Sequence, residues 1–413
     1  MPRQKRRKRI AITIPDDQKD QNVFSTLQFE ALPNEVILHV FSYLKIVDLV
    51  KCGQVSKRFR AISNDDQYLW PKKVNLCGKR VPVGFLQKLL DNGCEYLSLY
   101  HTILVDNLNL HVLDGLSFFD TLNSSKASKL KYLNLSGFGR CNRKNSIKLL
   151  ESCYSLKKLS MSKFHLSSKL INSISLQNGK TLRVLDLSHC TFCADEKNCT
   201  YLELPLSTSS CDVPGAIKQI VENCTELREL SLYKTKLCET SIDILVSTLT
   251  SKIEKLDLFK MSFLKDKHVK TLVTRCNKIT ELNLAYETSI TRWSLNFIIE
   301  HLQSTLVKLN LEDSNLNLNS SDLFKLKSME KMKCLFYDRE EWNFVDCRWL
   351  KKYLPEHTLR RNSLFLDEKS LTENSLDWIA SPWYNHHQGF WEIKGERNEK
   401  FNTFFIDTEN LVC

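Results

Sequence analysis

Cys190 and Cys193 form a Cys-x-x-Cys pair, and Cys199 and Cys211 follow it. Four thiolates so grouped would suit a tetrahedral zinc ion. Against this, the spacing matches no common zinc ribbon, and Cys190 also trails a repeated apolar phrase at a fixed distance. The sequence leaves these two readings open, and we expect no metal and no cofactor. His386 and His387 are adjacent, which points two imidazoles apart on either a helix or a strand, so they read as loop residues. No nucleophile elbow, phosphate loop, HExxH or dinucleotide fingerprint occurs in its required context. A catalytic cysteine would have to be chosen from fifteen without supporting geometry. The chain therefore reads as non-catalytic.

Charge is the other concentrated chemistry. The formal net charge is +11, and Arg3, Lys5, Arg6, Arg7, Lys8 and Arg9 supply six of those charges. A short basic run without apolar periodicity suits the groove of a nuclear import receptor or another anionic partner. The rest of the chain is only mildly basic, so nucleic acid is not an expected partner. We expect the protein in nucleus and cytoplasm, with the nucleus favoured. There is no apolar signal-peptide core near the N-terminus and no run of about 18 apolar residues to span a bilayer, so no membrane is expected. The cysteines are then expected as thiols in a reducing compartment.

The elements that would position any site follow from a repeat. An apolar residue, two variable positions, an apolar residue, one variable position and an apolar residue recur from Leu130, Leu156, Leu182, Leu227, Ile253, Ile279, Leu306 and Met332. The intervals are 26, 26, 45, 26, 26, 27 and 26 residues. A fixed period of this size means a solenoid, in which each unit adds one strand and one helix and buries its apolar face only against neighbours. Cys153, Cys224 and Cys276 each precede a phrase by three residues, and Cys190 follows one by three. At such positions cysteine acts as a small buried hydrophobe. The pattern resembles the cysteine-containing leucine-rich repeat. Cys199 to Leu204 carries the tail of the phrase, so the 45-residue interval reads as a 17-residue unit without a helix, then a full unit with a helix over 216–221.

Strand alternation assigns the faces. Leu133 and Leu135 point to the helices, while Tyr132, Asn134 and Ser136 line the concave sheet. The same register turns Tyr233 and Phe259 outward in neighbouring columns, as exposed aromatic anchors or as residues under the chain's own tail. Lys158, Lys255 and Lys308 face Asp186, Glu229, Asp257, Glu281 and Glu312, so the sheet offers no basic bed for a phosphate. Trp342, Trp349 and Trp378 read as capping residues of a degenerate last repeat, whereas Trp383 and Trp391 have no repeat register and could border a binding site.

Ahead of the repeats, Val36, Ile37, Val40, Phe41 and Leu44 recur at helical spacing within Leu32 to Leu44. A second helix starts at Asp48 to Cys52 and a third covers Gln54 to Ile62. Three short helices bury little alone, so the segment needs a partner. Leu32-Pro33-x-Glu35, Phe41-Ser42-Tyr43-Leu44, Asp48-Leu49, Val55-x-Lys57-Arg58 and Leu69-Trp70 resemble the F-box family, in order and at family spacing. Ser56 stands for the usual cysteine and Phe59 for the usual tryptophan, a change expected to loosen the third helix. With the repeats behind it, the chain resembles the F-box and leucine-rich-repeat family. Leu69 to Lys79 and Trp391 to Lys394 resemble segments of a cell-cycle member.

That resemblance implies a substrate receptor of an SCF-type cullin-RING ubiquitin ligase. A Skp-type adaptor would sit on Leu32, Pro33, Glu35, Val36, Ile37, Phe41, Leu44 and Leu49, and would bring the cullin and RING subunit. Protein substrates would meet Tyr233, Lys255, Phe259, Trp383 and Trp391, and a small cyclin-dependent-kinase regulatory subunit would read any phosphate. A non-ligase repeat scaffold and a basic nuclear nucleic-acid-binding protein are the competing readings. The expected architecture is α/β. A basic, disordered arm (1–28) precedes a three-helix F-box (29–70) and a curved leucine-rich-repeat solenoid (71–340), its parallel strands concave and its helices convex. A degenerate repeat and aromatic tail follow (341–413).

Overall fold

The computed structural model describes residues 32–44, 46–65, 69–105, 127–137, 147, 149–193, 213–314, 316, 320–332 and 334–336. The basic arm, Cys199, Cys211 and everything from 337 onward, including all the tail tryptophans, lie outside these residues.

Three helices open the described chain: α1 (Asn34–Phe41), α2 (Ile46–Val55) and α3 (Lys57–Asp65). Pro33, with φ fixed at −56°, supplies the carbonyl that starts α1 at Val36 and Ile37. The first helix is therefore shorter than the apolar spacing suggested. Ser56 separates α2 from α3, and its hydroxyl accepts the Phe59 N–H at 3.1 Å, capping α3. Phe59 is buried and meets Phe41 edge to face at 5.5 Å.

The helices share one hydrophobic core with the repeats. Trp70 is the rivet. Its indole N–H donates to the Ser63 carbonyl at 2.6 Å, while its ring lies 6.4 Å from that of Phe85 in helix α4 (Val83–Asp91).

The solenoid strands are β1 (Lys73–Asn75), β2 (Arg80–Pro82), β3 (Tyr96–Ser98), β4 (Ile103–Val105), β5 (Tyr132–Asn134), β6 (Lys158–Ser160), β7 (His165–Ser167), β8 (Val184–Asp186), β9 (Thr191–Cys193), β10 (Glu229–Ser231), β11 (Lys255–Asp257), β12 (Glu281–Asn283), β13 (Lys308–Asn310) and β14 (Cys334–Phe336). Ten form one parallel sheet in the order β1-β3-β5-β6-β8-β10-β11-β12-β13-β14. The pairs β2-β4 and β7-β9 form two further small parallel sheets. The later helices are α5 (Ser168–Asn178), α6 (Val213–Asn223), α7 (Glu239–Thr248), α8 (Asp266–Arg275), α9 (Arg292–Leu302) and α10 (Ser320–Lys325). Each of these packs on the next. Central strand residues such as Leu133, Leu159, Leu185, Leu256 and Leu309 are fully buried against the helix layer.

Two expectations change. Two rungs precede Leu130: Pro71-Val74-Leu76 and Cys94-Leu97-Leu99 keep the phrase but begin with proline and cysteine. In the 45-residue interval β8 pairs directly with β10, Val184 opposite Glu229, so no short unit intervenes in the sheet. The interval is one repeat with a long connection, and its helix is longer than expected.

Six of the described rungs end in the same side-chain turn. Asn75, Asn134, Asp186, Asp257, Asn283 and Asn310 accept the N–H two residues ahead through a side-chain oxygen at 2.9 to 3.1 Å. The following residue turns left-handed: Gly78, His101, Gly137, Lys163, His189, Lys234, Lys260, Tyr286 and Asp313 have φ between 50° and 70°. At Gly137 the neighbouring rung adds a second reason for glycine, because a Cβ would come within 2.5 Å of the His101 ring.

Candidate protein-docking surfaces

The first helix is two-faced. Ile37 and Phe41 are 0% and 2% exposed, whereas Val36, Val40 and Tyr43 are 43%, 38% and 77% exposed. With exposed Pro33 these three make an apolar stripe along α1 at helical spacing. Arg58 fixes the helix from below. Its guanidinium donates to Asn34 Oδ1 at 2.9 and 2.7 Å and also to the Leu32 carbonyl, tying α3 to the start of α1. His39 stands edge to face on Tyr43 at 5.2 Å, steadying the outer end of the stripe.

The outward face of the solenoid sheet is largely self-satisfied. Glu229, Lys255, Glu281 and Lys308 alternate across four strands, with Lys255 3.3 and 3.7 Å from its two glutamates and Lys308 3.5 Å from Glu281. Behind that row runs a buried polar ladder. Ser136 meets Ser160 at 2.6 Å, Ser160 donates to Asp186 at 2.7 Å, Ser188 meets Ser231 at 2.8 Å, and the Asn283 amide donates to Asp257 at 2.9 Å. Buried carboxylates persist here because neighbouring rungs supply donors. Tyr233 and Phe259 stack at 4.2 Å and are each 4% exposed, which corrects the expectation of open aromatic anchors. Burial pushes the Tyr233 phenol up to about 12, with Asp257 adding to the effect.

Residues 29–75 match the family model described as F-box-like. The N-terminal module is F-box-like. The match runs through β1. Among solved structures, the chain is similar to the crystal structure of the Rad7 and Elc1 complex in yeast, at 15% identity and a TM-score of 0.39, over 75% of this chain and 82% of that one.

The F-box-like module divides the expected adaptor residues. Pro33, Glu35 and Val36 are exposed, and Leu32 and Leu44 are half-buried. Ile37, Phe41 and Leu49 are interior residues: helical spacing alone cannot tell the outer stripe from the inner one when both are apolar. Val40 and Tyr43 belong to the outer stripe but not to the expected adaptor residues; Val40 lies in the helical pattern, whereas Tyr43 lies just past the end of α1.

Two clusters have metal-ligand composition. Cys190 is buried and its thiol lies 3.1 Å from the Met161 carbonyl as donor, which is the packing role its register predicts. The side chains of Glu239, Asp243 and His268 converge between α7 and α8. Their charges are already matched: Lys265 and Lys267 each reach Glu239, and Lys267 also lies 3.3 Å from Asp243. The Nδ1 of His268 accepts the Lys265 N–H at 2.9 Å, so in the neutral ring Nε2 bears the proton toward Asp243 at 3.0 Å. That nitrogen has no lone pair to offer a cation.

The strand arithmetic also overlooked a row of cations. Lys163, Lys234 and Lys260 stand in the left-handed column, three residues past their strands, and are exposed. Their common offset from each phrase was the signal.

Proposed function

We propose that the chain is the substrate-recognition subunit of an SCF-type cullin-RING ubiquitin ligase. In this reading the F-box-like module binds a Skp-type adaptor, through which the cullin and RING subunit are joined, and the repeats hold a target protein. The chain itself does no chemistry; it raises the local concentration of target at the ligase. One observation carries the reading: an F-box-like segment whose first helix exposes Pro33, Val36, Val40 and Tyr43 while its inner face is locked into the core. A stripe of this kind is the expected form of an apolar docking anchor.

If targets are phosphorylated cell-cycle regulators, a small cyclin-dependent-kinase regulatory subunit takes the phosphate, since Lys255 and Lys308 are held by Glu229 and Glu281. Import to the nucleus would run through Arg3 to Arg9. A fluorescent fusion without residues 1 to 10 that distributes as the full chain does would remove that role.

Co-expression with a Skp-type adaptor tests the central reading. A stable complex on gel filtration is expected, and Val36→Asp/Val40→Asp should abolish it without lowering the melting temperature. A folded chain that takes up no adaptor would leave a free-standing repeat scaffold, with the F-box-like module as its terminal cap.

A further inference from the structure

We propose that the left-handed column of the repeats is a rail for a carboxylate-rich segment of a protein, with Lys163, Lys234 and Lys260 as its cations. The proposal deepens the receptor reading, resting on it only for the idea that this face meets a target.

Three observations point the same way. The first is pairing. Every lysine of the neighbouring strand column from β11 to β13 lies on a glutamate, whereas Lys163, Lys234 and Lys260 form no ion pair among the described residues. The second is backbone. These lysines have φ of 66°, 52° and 58°, a conformation that Gly78 and Gly137 adopt in the same column without a steric penalty. Strained residues in a row are a reason to look for function there. The third is order: the Lys234 ammonium lies 5.1 Å from the Tyr233 ring and 5.5 Å from that of Phe259. A cation so held loses less freedom on meeting an anion.

Geometry suggests the shape of the occupant. Lys163, His189, Lys234 and Lys260 each follow by three residues one of the successive strands β6-β8-β10-β11. Adjacent strands are ~4.8 Å apart, so the rail spans roughly 14 Å, the reach of four or five extended residues. Nucleic acid fits less well. A single strand needs open aromatic faces on which bases stack, and here Tyr233 and Phe259 are stacked on each other and buried.

The test measures anisotropy of a fluorescein-labelled peptide of alternating glutamate and serine on the purified full chain with adaptor. Its glutamine counterpart and labelled single-stranded DNA serve as comparison probes. Lys163→Gly/Lys234→Gly/Lys260→Gly removes the charges while relaxing the backbone, so its melting temperature should not fall. The acidic peptide should bind the parent chain, bind this variant about tenfold more weakly, and bind Lys169→Gln/Lys180→Gln/Lys278→Gln as it does the parent. No binding of the acidic peptide, equal weakening by both triple variants, or tighter binding of DNA through the same three lysines would overturn the proposal. Adaptor binding is read separately: if it is absent while rail-dependent peptide binding remains, the receptor reading fails and the rail stands.

Discussion

His268 accepts the backbone N–H of Lys265 through Nδ1 at 2.9 Å, closing the first turn of α8 with a ring that must be neutral to do so. Burial holds the His268 pKa below the ordinary imidazole range; Lys267 adds to this, and Asp243 opposes it. The unfolded chain therefore binds the proton more readily. The stability from this ring is complete above the unfolded pKa of about 6.5 and is lost as pH falls below it toward the folded value. Urea midpoints should drop between neutral and mildly acidic buffer, and the His268→Gln chain, whose amide oxygen can still accept the N–H, should show a smaller drop.

The two faces of α1 should separate binding from folding. Val36→Asp or Tyr43→Ala should weaken adaptor binding by roughly 2 to 4 kcal/mol and leave the melting temperature near that of the parent. Ile37→Ala and Leu49→Ala should instead lower stability by about 2 to 5 kcal/mol through cavities in the shared core. Titration calorimetry and thermal melts on the same four proteins check this. Equal loss of binding from Ile37→Ala at a temperature where it is fully folded would return Ile37 to the interface.

Trp70 offers a graded series. Trp70→Phe keeps most of the packing on Phe85 but loses the bond to the Ser63 carbonyl, worth about 1 kcal/mol. Trp70→Ala should cost about 3 to 5 kcal/mol and detach the F-box-like module from the first rung. Hydrogen exchange would show the second variant opening α3 and β1 together.

Thiol labelling should rank the described cysteines sharply. Burial pushes Cys94, Cys153 and Cys224 up to about 12, so they should resist iodoacetamide in the folded chain. Cys238 is exposed at the start of α7. Partial burial raises its pKa, but hydrogen bonds with Ser241 and Thr240, together with local backbone N–H groups, outweigh that and leave it lowered. Mass spectrometry after brief alkylation near neutral pH should find Cys238 modified well before Cys94, Cys153 and Cys224.

The repeat was legible because its phrase is a packing rule: Leu133, Leu159 and Leu256 are buried wherever the period placed them. It failed at Pro71 and Cys94, where a different residue begins the phrase, and at Cys199, where three letters imitated a strand that the pairing of β8 with β10 leaves no place for. The F-box-like motif was legible as a string, yet its contact surface was not. Ile37 and Val36 are adjacent apolar residues, and only the docking of α1 on α3, with Phe41 against Phe59, decides which one faces out. The lysine column escaped because alternation ends with the strand. Lys163, Lys234 and Lys260 point where the turn directs them.

Val184 and Glu229 pair in the same register as Glu229 and Lys255, although their phrases are 45 residues apart instead of 26. The sheet thus counts rungs and is indifferent to the thread between them. Lengthening a connection raises its closure entropy only logarithmically, about 0.6 kcal/mol for each doubling. Residues added between β9 and α6 should therefore leave Val184 opposite Glu229, and every strand on either side would keep its address.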